Sequence, residues 1–234
     1  MNRRNNCLAV LLTVGFLLVL TAYITAPRPV QTLAEENGRT LVIDAGHGGE
    51  DGGAVSASGV RESTLNLAVA LRVRDLAAFV GLDTVMVRET DVSVADGGAT
   101  VSERKRSDLA ERVRLVQSTP GALLLSIHQN HFAEEKYDGA QVFYRSGSEE
   151  LAKKTQENLR LCLDPSNRRQ AKKSSQVYLM EHISCPAILV ECGFLSNAAE
   201  TEKLTQPDYQ KKLAAAMLCA IAAGNEGTED EQIG

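Results

Sequence analysis

Among the side chains of this 234-residue chain that could hold a metal ion or move a proton, four stand out by their place at the edges of apolar runs and a glycine loop: His47, Glu62, His128 and Glu191. His47 lies in "LVIDAGHGGEDGGAV", residues 41 to 55, where Leu41-Val42-Ile43 gives way to Gly48, Gly49, Gly52 and Gly53 with Glu50 and Asp51 between them. Glycines just past a strand end let the chain turn with positive φ and admit a ligand close to the backbone, so an imidazole there is a candidate site residue. His128 ends the run "LLLSI", Glu191 ends "AILV", and Glu62 opens the helical pattern after the glycine loop. Two imidazoles and two carboxylates suit a zinc hydrolase. Three protein ligands from the His and Asp/Glu set hold the ion, a fourth position stays open, and one further carboxylate handles protons. The intervals of 15, 66 and 63 residues match no local metal motif, and neither HExxH nor a cysteine-based zinc pattern occurs.

Plainer roles compete at each position. His128 alone could be a core histidine bonded to backbone, and Glu62 alone an acidic residue favoured near a helix N-terminus by the dipole. Glu191 is harder to explain that way, because a carboxylate between "AILV" and "CGF" is desolvated unless it is paired or sits near a metal. Asn130, two residues beyond His128, falls on the same strand face and is a weaker candidate for orienting a ligand or substrate. His131 and His182 sit in polar segments and read as surface residues.

The four positions act together only if the elements bring them to one place. The run 41–44 reads as a buried strand. "ESTLNLAVALRVRDLAAFVG" carries apolar residues at Leu65, Val69, Leu76 and Val80 and stops at Gly81, which describes an amphipathic helix opening near Glu62. A strand within 82–91, a helix over 102–118 and a strand within 121–130 follow. The unbroken apolar run of that last strand suits a sheet covered on both faces. Then come a strand within 139–146, a helix over 149–163, a strand over 187–194 and a closing helix over 198–224. Alternation of this kind implies an α/β fold, a central mostly parallel sheet flanked by helices, and such sheets bind ligands beyond the carboxyl ends of their strands.

Composition narrows the class. At 44% hydrophobic and 24% charged, the chain supports one sizeable domain. A net charge of −5 argues against nucleic acid as a partner; the local run "RRQAKK", 168–173, is a solvated surface stretch or a contact for a small anionic group. Residues 1–6 hold Arg3 and Arg4, and 7–26 are twenty residues without a charge, about 30 Å of helix, the layout of a signal anchor or a signal peptide with a cytoplasmic positive end. Residues 27–39 read as a linker, 40–224 as the catalytic domain and 225–234 as an acidic tail. Cys162, Cys185, Cys192 and Cys219 show no CxxC spacing and serve equally as small core residues or as disulfide partners.

"IDAGHGGEDGGA", "ESTLNLAVAL", "LLLSIHQNHF" and "AILVECGFLSN", in this order and spanning about Leu41 to Ala222, closely resemble the zinc-dependent N-acetylmuramoyl-L-alanine amidases of bacterial cell walls. The resemblance implies a zinc-exopeptidase-like (phosphorylase/hydrolase-like) α/β domain, with His47, Glu62 and His128 as zinc ligands and Glu191 as the catalytic glutamate. The implied substrate is peptidoglycan, cut at the amide between N-acetylmuramic acid and L-alanine. "NRRQAKKSSQVYLMEHISCPAILVECGFLSN" resembles the sporulation-specific members of that family, which implies spore-cortex peptidoglycan, muramic-lactam formation and germination. An exported, membrane-tethered or secreted enzyme of the cell envelope or forespore is expected, with any activating protein partner left open. Gln117 stands where relatives commonly carry asparagine. A zinc carboxypeptidase-like wall peptidase and a non-catalytic wall-binding module are the alternatives.

Overall fold

The computed structural model describes residues 38–223 apart from Asp96 and Ser175. The segments 1–6 and 7–26, residues 27–37 of the linker, and the tail 225–234 lie outside the described residues. No helix among the described residues is long and apolar enough to cross a membrane.

The five strands and the helices expected from periodicity are present, with additions. In chain order they are β1 (Thr40–Ala45), α1 (Glu62–Phe79), β2 (Thr84–Met86), α2 (Val101–Ser118), β3 (Ala122–Asn130), β4 (Gln141–Tyr144) and α3 (Glu149–Leu163). There follow β5 (Lys172–Lys173), α4 (Tyr178–His182), β6 (Ala187–Phe194), α5 (Ala198–Thr205) and α6 (Pro207–Ala223). The start of α1 at Glu62 and the positive φ of 76° at Gly81 just past its end match the sequence pattern. Helix α2 begins on a capping box, with Thr100 accepting from the Glu103 amide while Glu103 reaches back to the Thr100 N–H. The closing helix is two helices: Pro207 cannot continue α5, forces Gln206 into extended backbone, and becomes the first residue of α6. The additions β5 and α4, two and five residues long, are too short for periodicity to register.

The six strands form one sheet in the order β2-β1-β3-β6-β4-β5. Strands β2, β1, β3 and β6 are parallel, whereas β4 runs antiparallel to β6 and β5 follows β4. The sheet is therefore mixed. The ten residues between β3 and β4 contain no crossover helix, so the chain leaving one end of β3 re-enters the sheet from that same end, which makes β4 antiparallel.

Period-2 alternation sorts the strand residues between two covers. Leu41, Ile43, Leu125, Ile127, Ile188 and Val190 pack against α1, α3 and α6. Val42, Leu124 and Leu189 pack on the other face against Val113 and Val116 of α2 and Leu179 and Met180 of α4. That second face continues along the strands into a polar row: Asp44, Ser126, His128 and Glu191.

Under the row lies Arg112 of α2, fully buried. It bonds Asp44 Oδ1 at 2.5 Å and Asp108 Oδ2 at 2.6 Å, and donates to Ala45 O at 3.0 Å and His47 O at 2.7 Å. Asp44 also accepts from Ser126 Oγ at 2.7 Å. Burial works against this carboxylate, yet Arg112 and the neighbouring donors hold it below the usual range. Arg112→Met is expected to strand the Asp44 charge and to cost about 3–5 kcal/mol in urea unfolding, with part of the loss restored in the double variant Asp44→Asn/Arg112→Met.

Candidate metal centre

The chain leaves β1 through a backbone whose carbonyls point away from the sheet ladder. Arg88 collects them: its Nε donates to Ala45 O at 2.8 Å and its Nη2 to Gly46 O at 3.0 Å and Ser63 O at 2.9 Å. Asn66 Nδ2 also donates to Gly46 O, at 3.1 Å. So held, His47 adopts φ 60°, the left-handed region that a residue with a Cβ rarely occupies.

Gly48, Gly49 and Gly53 adopt positive φ, as expected, and two glycines of the loop also make room for other side chains. The space a side chain would take at Gly46 is filled by the His128 ring, 2.2 Å from where a Cβ would sit, and at Gly53 by Glu62 Oε2 at 2.5 Å. Missing side chains in the loop make room for the chain's own imidazole and carboxylate.

Glu62, from the first turn of α1, is the meeting point. Its Oε1 lies 3.3 Å from His47 Nε2 and 3.0 Å from His128 Nδ1, and accepts from the Gln129 amide at 3.1 Å and Asn66 Nδ2 at 3.3 Å. Its Oε2 accepts from the Ala54 amide at 2.9 Å. One ligand atom from each of His47, Glu62 and His128 lies within 4.8 Å of the others. The two imidazole rings stand edge to face, with centroids 5.1 Å apart.

The donor set fits a cation. His47 Nδ1 is 3.0 Å from Asp51 Oδ2, so in the neutral ring the N–H belongs there and Nε2 aims a lone pair at Glu62 Oε1. A lone pair facing a carboxylate needs a proton or a metal ion between them. Burial disfavours the imidazolium, but the hydrogen bonds to Asp51 and Glu62 outweigh it and carry His47 up to about 9. Glu62 shows the reciprocal effect: burial would raise it, and the two imidazoles hold it far below the ordinary carboxylate range.

Glu191 occupies the next position on β6, paired in register with His128 across the parallel ladder. Its Oε2 is sealed from solvent with no hydrogen-bond partner among the described residues. Burial, reinforced by the Glu62 charge and only partly offset by the two imidazoles, pushes it up to about 7. His47, Asp51, Lys105, His128, Tyr178 and Glu191 border a cavity of about 230 Å³. Asn130 keeps its position two residues past His128, but its Oδ1 accepts from the His131 amide at 2.9 Å, and no contact among the described residues joins it to the three clustered ligands. His131 and His182 are exposed, as expected. Cys162, Cys185, Cys192 and Cys219 are free thiols.

Sequence reasoning gave no role to Asp44, Asp51, Asn66, Arg88 or Arg112. The desolvation argument that singled out Glu191 applies equally to Asp44 after "LVI" and to Arg88 after "TVMV", and would have marked both.

Comparison with known proteins places the chain as a whole. The model of the family described as N-acetylmuramoyl-L-alanine amidase matches residues 41–223. The chain is 40% identical over 189 residues to the germination-specific N-acetylmuramoyl-L-alanine amidase of Bacillus subtilis (strain 168), covering 79% of each. It is 31% identical over 185 residues to the N-acetylmuramoyl-L-alanine amidase LytC of the same organism, covering 77% of this chain and 34% of that one. Among solved structures, the CwlD amidase from Clostridioides difficile, determined in complex with the GerS lipoprotein, superposes with a TM-score of 0.76 at 36% identity, covering 79% of this chain and 97% of that one.

The metal-free protein should lose stability as pH rises. Folding raises His47 from about 6.5 to about 9, so its contribution is complete below 6.5 and disappears as pH climbs through 9. Thermal melting of chelator-treated protein between pH 7 and 9.5 is expected to show a falling midpoint, and Asp51→Asn to flatten that slope; an equally steep fall in the variant refutes the assignment of Asp51 as the partner.

Proposed function

The chain belongs to the N-acetylmuramoyl-L-alanine amidase family, and we propose that it cuts the amide between N-acetylmuramic acid and L-alanine with a zinc ion held by His47, Glu62 and His128 and with Glu191 carrying the proton. The observation behind this reading is the convergence of two imidazole nitrogens and one carboxylate oxygen within 4.8 Å, beside a carboxylate that burial holds near neutrality.

Zinc bound there would supply Lewis acidity, polarising the scissile carbonyl and lowering the pKa of water. The remaining work belongs to the chain. Asp51 fixes the tautomer and orientation of His47 through Nδ1. Gln129 N–H, Asn66 and Ala54 N–H hold both oxygens of Glu62 in place, so its position does not depend on a mobile side chain. Glu191, with one oxygen that has no hydrogen-bond partner among the described residues, accepts a proton from the attacking water and delivers it to the departing alanine nitrogen. A base poised near neutrality serves both halves of that transfer, since it must take the proton and then release it.

The sporulation role is the narrower part of the reading. It rests on likeness to a relative named germination-specific, and assigns the enzyme to spore-cortex peptidoglycan and muramic-lactam formation. An envelope or forespore location goes with that substrate, through residues 7–26 acting as anchor or signal. The lipoprotein in the solved complex of a relative supports a protein partner at the envelope for this enzyme as well.

Glu191→Gln is expected to retain one equivalent of zinc while the rate of release of peptides with a free N-terminal alanine from purified peptidoglycan drops about 10²–10⁴-fold. His128→Ala is expected to lose the zinc itself. Products cut elsewhere in the stem would favour a peptidase, and full wall binding by a His47→Ala/His128→Ala protein that is inactive even with added zinc leaves the amidase chemistry standing and separates it from adhesion.

A further inference from the structure

One run of the chain has no place in that chemistry: Arg168-Arg169-Gln170-Ala171-Lys172-Lys173, four cations in six residues of a chain whose net charge is −5. The fold brings it to the rim beside Glu191. Lys172 and Lys173 form β5 against Phe143 and Tyr144 of β4. At the head of β4, Gln141 stands directly opposite Glu191 in the antiparallel ladder, and opposed residues of such a pair share a face. Gln141 grips the run at two points: its Nε2 donates to Gln170 O at 3.0 Å, and its Oε1 accepts from Arg169 Nη1 at 3.3 Å.

Arg169 is held on two further sides. Its Nε donates to Asp138 O at 2.7 Å, and its guanidinium carbon lies 4.4 Å from the ring centroid of Phe194. Phe194 reaches that place because the register of β6 against β3 slips between Glu191 and Phe194, so that Phe194 pairs with Asn130 on the face that carries His128. A guanidinium fixed at two nitrogens and along one face has already given up its rotamer freedom. Its third nitrogen, Nη2, makes no hydrogen bond among the described residues, and Arg169 is half-exposed. A pre-set planar donor edge with an unused nitrogen matches a carboxylate better than any neutral group.

We propose that Arg169 is a specificity-determining residue that takes a carboxylate of the stem peptide while the amide to be cut lies at Glu191. The inference rests on the amidase reading, since a muramoyl-peptide carries a free carboxylate on the peptide side of that bond, at its terminus at the least. Gln141 then acts as a positioning residue, fixing the distance between the carboxylate receptor on one strand edge and the proton carrier on the neighbouring strand.

The test compares two soluble muramoyl-peptides, one with free stem carboxylates and one with those carboxylates converted to amides, as substrates of the zinc-loaded full chain. Wild type should prefer the free acid in kcat/KM by about tenfold, the size expected of one charge-assisted hydrogen-bonded pair, with the difference carried by KM. Arg169→Met should bring the ratio close to one. Arg169→Lys, which keeps the charge and loses the fork and the stacking, should leave an intermediate ratio, and it decides the matter if the Met variant does not fold. A ratio of one in wild type, or a wild-type ratio that survives in the variants, overturns the role of Arg169. Absence of any muramoyl-alanine cleavage by wild type overturns the amidase reading instead, so the two failures are distinguishable.

Discussion

The end of β1 is the point on which the rest of the site depends. Three successive carbonyls, those of Ala45, Gly46 and His47, leave the ladder, and buried carbonyls must find donors elsewhere. Arg88 and Arg112 supply them from two different parts of the chain, and Asn66 adds a third source. A planar guanidinium with five donors can reach several carbonyls at once, which a lysine ammonium cannot do in the same geometry. The clamp holds His47 in left-handed backbone, and that backbone aims its imidazole at α1.

From there the site is built by subtraction as much as by addition. Gly46 and Gly53 leave the volumes that the His128 ring and the Glu62 carboxylate occupy. Alternation along β1, β3 and β6 then lines Asp44, Ser126, His128 and Glu191 along one face, with apolar residues of the same strands turned to the other. Asp44, the innermost member of that row, could not be buried without Arg112 beside it, because an unpaired Asp44 carries a desolvation penalty of several kcal/mol.

The same environment treats two glutamates in opposite ways. Glu62 gathers four nitrogen atoms around one oxygen and stays ionised far below the usual range; Glu191 is half-buried, with one oxygen sealed from solvent and unpartnered among the described residues, and is pushed to about 7. A ligand must remain an anion, and a proton carrier must change state readily. Separation of the two carboxylates by environment, with identical side chains, divides those roles.

Much of this was legible in the sequence because it follows from local periodicity. The alternation of strands and helices, the start of α1 at Glu62, the exposure of His131 and His182, and the ends of apolar runs at His128 and Glu191 all reflect patterns within a dozen residues. The four ordered motifs led to the same family that the comparisons show. Tertiary structure decided what depends on partners far along the chain: the reversal of β4, the filling of the glycine spaces, and the bonding of Arg88 and Arg112 to backbone 42 to 67 residues away. It also decided which nitrogen of His47 faces Glu62, and that Gln141 stands opposite Glu191. Periodicity records which side of an element is buried, whereas a hydrogen bond across the fold leaves no trace in the spacing of the residues that make it.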